Sequence, residues 1–265
     1  MNTLVLSGGG SHGAFQVGVL ERLVETGAEF DMFCGVSVGA LNASILAQHQ
    51  TLADGVAQLR GIWDTINTRS VYRHWLPFSW LTGLWRPGLH STQPLRLMVR
   101  EHLKPEILAE SGKKLRVGAV NLNTGRYTIF TESAVEIASA VIASAALPVW
   151  LEAATMRGDL WVDGGIRNVT PMKAALDAGA TDITAVVSYK RGQSRRVDVK
   201  PNAVAVGMRA FGIMFDETVE NDLEICSTYI PVKVTSPNKG LGFDAMDFSP
   251  KHIASAIQLG RDSWG

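Results

Sequence analysis

Apolar positions follow two patterns that alternate along the first fifty residues. Residues 3–6 and 30–34 are short apolar runs, and segments with helical spacing, residues 13–26 and 37–49, come after each of them. Short continuous apolar runs are typical of strands that are buried on both faces. Strand, glycine turn and helix therefore occur twice, which predicts the opening of a parallel α/β sheet.

The alternation continues to the C-terminus. Helical spacing predicts helices over residues 52–66, 92–103, 105–111, 133–146, 171–178, 203–225 and 250–262. Apolar runs predict strands over residues 115–121, 126–131, 149–154, 160–163, 183–188 and 230–235, with a hairpin turn at Asn123-Thr124-Gly125. No repeat or linker interrupts the series. We therefore expect one domain over residues 1–265, with a three-layer α/β/α fold and a mainly parallel central sheet.

The composition fits a packed globular enzyme and excludes some partners. Hydrophobic residues make up 46% of the chain, and 25 Lys and Arg balance 25 Asp and Glu to a formal net charge of zero. A protein that binds nucleic acid over a broad surface carries a positive excess. We therefore expect no nucleic-acid partner.

Cysteine content and the N-terminal sequence bear on the compartment. Two cysteines, Cys34 and Cys226, are too few for a disulfide framework and favour a reducing compartment. The N-terminal residues lack the basic region of a signal peptide, and no apolar run reaches the roughly 18 residues of a transmembrane helix. These features predict a cytoplasmic protein.

Two glycine-rich motifs follow the first two predicted strands: Gly8-Gly9-Gly10-Ser11-His12-Gly13 and Gly35-Val36-Ser37-Val38-Gly39. In the second motif, Gly35 and Gly39 allow the tight strand-to-helix turn that exposes the Ser37 hydroxyl. The Val38 N–H lies at the helix N-terminus and is a natural donor to an oxyanion. The three consecutive glycines of the first motif leave further backbone N–H groups accessible. Together the motifs predict a serine acyl hydrolase with Ser37 as nucleophile.

A serine nucleophile needs a base, and the sequence leaves two choices. Asp163 ends an apolar strand and precedes Gly164 and Gly165. Of the six histidines, only His252 follows Asp163, so a Ser37–Asp163–His252 triad in the α/β-hydrolase order is an alternative. Against it, His252 lies at the start of a predicted helix, where the dipole disfavours an imidazolium.

Two further alternatives leave catalysis out. The glycines of residues 8–13 follow a strand and precede a helix, as in a nucleotide-binding loop, with Asp31 near the spacing of a ribose-binding acid. A catalytically silent lipid-binding scaffold is the other alternative. The presence of both Ser37 and Asp163 argues against it.

Four blocks of this chain, in order, resemble the patatin-like phospholipases. They are Gly8-Gly9-Gly10-Ser11-His12-Gly13, Gly35-Val36-Ser37-Val38-Gly39-Ala40-Leu41-Asn42-Ala43, Ala143-Ser144-Ala145-Ala146-Leu147-Pro148, and Asp163-Gly164-Gly165 with Asn168 and Pro171. The similar region runs from residue 4 to about 235. His12 departs from the family, whose loop often carries a permanently basic residue there. We therefore expect activity to depend in part on the charge of His12.

The resemblance implies a catalytic dyad without a histidine. Ser37 is then the nucleophile and Asp163 the base, and the oxyanion hole is formed by Gly8, Gly9, Gly10 and Val38. Gly13, Gly35, Gly39, Gly164 and Gly165 support these motifs. The substrates implied are acyl esters of phospholipids and other lipids, and no metal, calcium or organic cofactor is implied.

An aromatic stretch between the predicted helices is a candidate for contact with lipid. Trp75, Trp80 and Trp85 lie within residues 75–85. The stretch fits either a small satellite core or a lid that touches a membrane surface peripherally. The basic residues Arg191, Arg195 and Arg196 form a solvated loop or assist with anionic head groups.

Overall fold

The computed structural model describes residues 1–74, 86–190, 203–241 and 244–264. Its strands are β1 (Asn2–Leu6), β2 (Met32–Gly35), β3 (Arg73–His74), β4 (His90–Ser91), β5 (Lys114–Asn121), β6 (Tyr127–Thr131), β7 (Ala154–Met156), β8 (Asp159–Asp163), β9 (Asp182–Val186) and β10 (Val232–Thr235). Its helices are α1 (Gly13–Glu25), α2 (Val38–Leu46), α3 (Leu52–Thr65), α4 (Thr68–Val71), α5 (Gln93–His102), α6 (Pro105–Glu110), α7 (Ile137–Ser144), α8 (Met172–Asp177), α9 (Ala203–Tyr229) and α10 (Pro250–Ser263).

Within the described ranges, eight of these strands form one sheet in the order β10-β9-β1-β2-β5-β8-β7, and β6 pairs with β5. The pairs from β10 to β5 are parallel. β6 and β8 run antiparallel to β5, and β7 runs antiparallel to β8. The mainly parallel sheet with flanking helices confirms the predicted fold class.

Side chains of the central strands alternate between two cores. On β1, Leu4 and Leu6 are fully buried in the larger core, together with residues of α1, α2, α3 and α7. Val5 points to the opposite face and packs with Met32, Cys34 and residues of α8. Because neighbouring positions on a strand face opposite sides, a run that is apolar throughout requires helices on both faces.

β5 brings the ends of two other strands together. Its first half pairs with β2, with Gly35 opposite Val117, and its second half pairs with β8, with Asp163 opposite Ala119. β6 occupies the other edge of β5 along both halves. The last residues of β2 and β8 therefore lie on the same edge of β5, two residues apart, which is about 7 Å.

Most predicted elements are present with ends shifted by a few residues, but the strand expected over residues 149–154 is wrong for most of its length. Only Ala154 belongs to a strand, and Val149 has a φ of 71°. Backbone N–H groups of Leu89 and His90 donate to Val149 and Trp150. Leu151, within this segment, is buried and forms an isolated parallel β-bridge with His90. The hydrophobicity of the segment therefore reflects burial and a single bridge, without a continuous strand.

Two expectations fall on parts of the chain that are not described. Residues 75–85, with their three tryptophans, and the loop with Arg191, Arg195 and Arg196 lie outside the described residues. In the described ranges, none of the helices combines the length and the apolar character needed to cross a membrane.

Candidate active site

Ser37 occupies a sharp turn between β2 and α2. Its φ of 57° and ψ of −130° lie in a region that side chains rarely adopt, and such backbone strain costs about 1–3 kcal/mol. The Ser37 N–H donates to Ser144 Oγ at 2.9 Å, and the Ser144 hydroxyl donates to the Gly118 carbonyl at 2.6 Å. Ser144 therefore ties the strained turn to the centre of β5.

Close backbone contacts explain why this turn needs glycine on both sides. A Cβ at Gly39 would collide with the carbonyl oxygen of Leu6, and a Cβ at Gly35 would collide with the backbone of Gly39. The motif Gly35-Val36-Ser37-Val38-Gly39 thus allows α2 to begin directly against the ends of β1 and β2.

Asp163 ends β8 and faces Ser37. Its side chain is 3% exposed, and its Oδ1 accepts a hydrogen bond from the Gly165 N–H at 2.7 Å. The Ser37 side chain lies close enough to the Asp163 carboxylate to lower its pKa as a hydrogen-bond donor. Gly164 passes so close to the Gly118 carbonyl that a Cβ there would collide with it. The structure therefore brings Ser37 and Asp163 into direct contact, with no histidine between them.

Burial controls the acidity of Asp163. Desolvation raises the pKa of this carboxyl from 3.8 to about 6, while the hydrogen bonds from Ser37 and from the Gly165 N–H act in the opposite direction. At neutral pH most of the carboxyl is still ionised. It is therefore able to accept a proton, and it is a stronger base than an exposed aspartate.

The glycine loop of residues 8–10 has backbone N–H groups beside Ser37, but that of Gly8 is not available to a substrate as expected. The Gly8 N–H donates to the Val169 carbonyl at 2.9 Å, so this amide is already engaged. The N–H groups of Gly9, Gly10 and Val38 have no acceptor among the described residues, and all three residues line the same cavity as Ser37. The contribution of Gly8 is close packing, since a Cβ there would lie 3.2 Å from Ser37 Cβ.

A chain of buried amides fixes this loop to the helices. Gln16 Nε2 donates to the Ser7 carbonyl at 2.7 Å and to Ser188 Oγ at 2.9 Å. Asn42 Nδ2 donates to Gln16 Oε1 at 2.8 Å, and Trp63 Nε1 donates to Asn42 Oδ1 at 3.0 Å. Satisfied buried networks of this kind rigidify the groups they connect. His12, half-buried at the end of the loop, also lines the cavity.

A cavity of about 520 Å³ follows α2 away from Ser37 and Asp163. Successive turns of α2 contribute Val38, Leu41 and Ile45. Much of the remaining wall is apolar and comes from α3, α4, α5 and the segments near residues 147–151 and 245–248: Leu59, Ile62, Trp63, Ile66, Val71, Leu95, Met98, Val99, Leu103, Leu147, Leu151 and Phe248. Such a wall suits a hydrocarbon chain.

The structure does not bring His252 into this site. His252 Nδ1 pairs with Asp247 Oδ2 at 2.6 Å. In the described part of the chain, the histidines that line the cavity are His12 and His102. The contact between Ser37 and Asp163 is direct, so the geometry does not support the triad alternative.

The nucleotide-binding alternative also lacks support in the geometry. The Ala245 carbonyl accepts a hydrogen bond from the Ser11 N–H at 2.7 Å and packs against Gly10, where a phosphate would approach the loop. Asp31 accepts from the Asn2 N–H at 2.9 Å, at the start of β1. The glycine loop follows the C-terminal end of β1, whereas Asp31 lies at the N-terminal end of that strand. The two are therefore a full strand length apart.

Several supporting residues were not recognised from the sequence. Ser144 belongs to the matched block of residues 143–148, and that block was the one signal that pointed to it. Asn42 and Gln16 are polar residues on otherwise apolar helix faces, where burial demands partners. Gly118 gave no signal, because its role depends on a long-range approach of β8 and α7.

The strand ends of this α/β fold thus bring together a serine turn, a buried aspartate and an N–H-rich loop. The family model of the patatin-like phospholipases matches residues 4–176. The chain therefore belongs to the patatin-like phospholipase family, and this membership supports lipid acyl hydrolase activity in general.

The proteins similar to this chain include the following two. A cGAMP-activated phospholipase of Pseudomonas aeruginosa is 26% identical over 184 residues, which are 64% of this chain and 54% of that protein. A crystal structure of VipD from Legionella pneumophila matches with a TM-score of 0.53 at 18% identity, over 99% of this chain and 65% of that chain. The chain thus spans about half the length of the first protein and under two thirds of the second. The likeness to VipD concerns the fold alone.

The buried charge at Asp163 has a consequence for stability. We expect Asp163→Asn to raise the free energy of unfolding by about 3 kcal/mol near pH 8, since the folded pKa is about 6 against 3.8 without burial. The raised pKa means that the fold disfavours the ionised form. Wild-type stability therefore falls as pH rises from about 3.8 to about 6, and the loss is constant above that range.

Urea unfolding at two pH values measures this effect. At pH 5 the gain of Asp163→Asn is expected to shrink to about half, because the folded wild type is then largely protonated. The exposed Asp182 at the start of β9 gives a matched control, and Asp182→Asn is expected to leave stability unchanged. Equal stability of Asp163→Asn and wild type at pH 8 would contradict the burial effect.

Proposed function

We propose that this protein hydrolyses carboxylic esters of lipids through an acyl-Ser37 intermediate, with Asp163 as the base. The Ser37 side chain within reach of the buried Asp163 carboxylate, beside an apolar cavity, carries this proposal. A serine hydroxyl is a weak nucleophile near neutral pH and needs a base within hydrogen-bonding reach. Asp163 is such a base.

In the first half of the reaction, Asp163 takes the proton of the Ser37 hydroxyl while Ser37 Oγ attacks the acyl carbonyl carbon. Negative charge develops on the carbonyl oxygen, and the N–H groups of Gly9, Gly10 and Val38 stabilise it. The tetrahedral intermediate then collapses. The alcohol leaves with the proton from Asp163, and the acyl group stays on Ser37.

In the second half, water replaces the alcohol. Asp163 takes a proton from the water as its oxygen attacks the acyl-Ser37 carbonyl, and the same N–H groups stabilise the second oxyanion. Collapse of this intermediate releases the carboxylic acid, and Asp163 returns its proton to Ser37 Oγ. The enzyme regains its starting state without any group beyond those of the chain.

The cavity indicates which part of the substrate is bound most extensively. Its apolar wall along α2 fits an acyl chain, whose carbonyl would then lie near Ser37. The family adds phospholipids as the substrate class. Phospholipase A, lysophospholipase and simple esterase activities share this acyl site and differ in the leaving alcohol.

The central test compares three variants on a soluble p-nitrophenyl ester and with a fluorophosphonate probe. We expect Ser37→Ala and Asp163→Asn to lose roughly 10³-fold or more in kcat, and His252→Ala to keep near wild-type activity. The probe is expected to label wild type and His252→Ala, but not Ser37→Ala. Because Asp163→Asn is expected to be the more stable protein, unfolding would not explain its loss of activity.

Two outcomes would overturn this proposal. A folded His252→Ala that is as inactive as Ser37→Ala would indicate a triad. A wild-type protein that hydrolyses neither soluble esters nor phospholipid vesicles, and that is not labelled by the probe, would exclude the acyl-serine reaction.

The pKa of Asp163 sets the acid limb of the rate profile. We expect kcat/KM to fall about tenfold per pH unit below about pH 6, because protonated Asp163 has a folded pKa of about 6 and accepts no proton. The rate is measured with a soluble ester at a wavelength where both forms of nitrophenol absorb equally. An acid limb near pH 4 would mean that Asp163 is not the essential base, or that it is not desolvated.

A larger side chain in the cavity is expected to lower kcat/KM for esters of long acyl chains more than for esters of short ones. Leu41 lines the cavity one turn along α2 from Val38. We expect Leu41→Trp to lower kcat/KM for a decanoyl ester by about tenfold or more relative to an acetyl ester, because the larger side chain displaces the acyl tail. Leu122, an exposed leucine beyond β5, gives the control variant Leu122→Trp. Equal losses on both esters would place the acyl chain elsewhere.

A further inference from the structure

α9 consists of two halves with different chemistry. Residues 203–215 contain one charged side chain, Arg209, whereas residues 216–224 contain five acidic residues and no basic one. In the first half Val206, Ile213 and Met214 are 55%, 54% and 48% exposed. Their spacing places them along one face of the helix, so the first half carries an exposed apolar stripe.

This stripe borders the cavity that contains Ser37. Arg209 and Gly212, on the same half of α9, line the cavity, and Lys190 lines it as well. Arg209 is half-buried, so the cavity reaches the surface beside this helix. The exposed apolar side chains therefore adjoin the route by which an acyl chain would enter.

We propose that the first half of α9, with Val206, Ile213 and Met214, docks on the surface of a phospholipid bilayer. This inference rests on the proposed lipid substrate. A bilayer supplies both chemistries that the surface requires, since its acyl region accepts the apolar stripe and its phosphates pair with a cation at the same depth. The side chain of Arg209 suits the boundary between acyl chains and head groups, because its stem is apolar and its guanidinium can pair with a phosphate.

The charge distribution along α9 sets the orientation on the bilayer. Glu217, Glu220 and Glu224 in the second half are exposed, and an anionic lipid surface repels them. The first half, with its single cation, is attracted. α9 therefore meets the bilayer with its N-terminal half, the half that adjoins the cavity, and a phospholipid tail would pass from the bilayer toward Ser37 with little exposure to water.

Vesicle co-sedimentation tests this surface without any need for turnover. The probe is a vesicle of equal parts phosphatidylcholine and phosphatidylglycerol, and the protein carries Ser37→Ala so that the lipid stays intact. We expect the double change Ile213→Asp with Met214→Asp to weaken binding at least tenfold, because it places two carboxylates at the bilayer surface. Val135, which is 98% exposed before α7, gives the control Val135→Asp, expected to bind like the parent protein.

A second measurement separates docking from folding and from catalysis. In the protein with Ser37 intact, the double variant is expected to hydrolyse a soluble short-chain ester at the wild-type rate and to lose activity on vesicles. Equal vesicle binding by the double variant and its parent would overturn the proposal. So would sedimentation analysis in which the double change converts a dimer to a monomer, because the stripe would then join two copies of this chain.

The two proposals fail in different ways. Vesicle binding that depends on Ile213 and Met214, together with no ester hydrolysis by the wild type, would reject the acyl-serine reaction and keep the docking surface. Ester hydrolysis that depends on Ser37, together with no vesicle binding by the parent protein, would reject the docking surface and keep the reaction.

Discussion

The start of α2 lies directly on the ends of β1 and β2, with no space for a side chain between the backbones. At Gly39 the approach to the Leu6 carbonyl excludes even a methyl group. This contact forces the chain to turn within Val36 and Ser37, and the turn gives Ser37 its positive φ. It also places the N-terminus of α2 beside the glycine loop that follows β1. The proximity of the Ser37 hydroxyl to the free N–H groups depends on this one contact between backbones.

The sheet supplies the second half of the geometry. Because β2 and β8 share one edge of β5, the residues that follow each strand emerge next to one another. Ser144 and Gly164 both approach the Gly118 carbonyl, so the serine turn and the aspartate are fixed to the same point of β5. The pairing of β2 and β8 with β5 therefore fixes Ser37 next to Asp163 through the backbone.

The sequence was sufficient for the features that depend on local pattern. Alternating apolar runs and helical spacing predicted most of the helices and strands, but not α4, β3 or β4. The glycines around Ser37 predicted the tight turn, because a close backbone approach tolerates no other residue. Features that depend on distant parts of the chain were missed or wrong. The engaged amide of Gly8 depends on the Val169 carbonyl, and the irregular path at Val149 depends on residues near His90. The position of His252 beside Asp247 likewise follows from a turn before α10 that local spacing did not reveal.

The polar end of the cavity and its apolar wall come from different parts of the fold. Strand ends and tight turns hold the reactive groups, whereas α3, α4 and α5 supply much of the apolar wall. Within the described ranges, these apolar wall residues make no side-chain hydrogen bond to Ser37 or Asp163. Trp63 is polar at one atom, and its indole N–H donates to Asn42. Apolar substitutions in these helices can therefore change the shape of the cavity while the contacts that hold Ser37 and Asp163 stay the same.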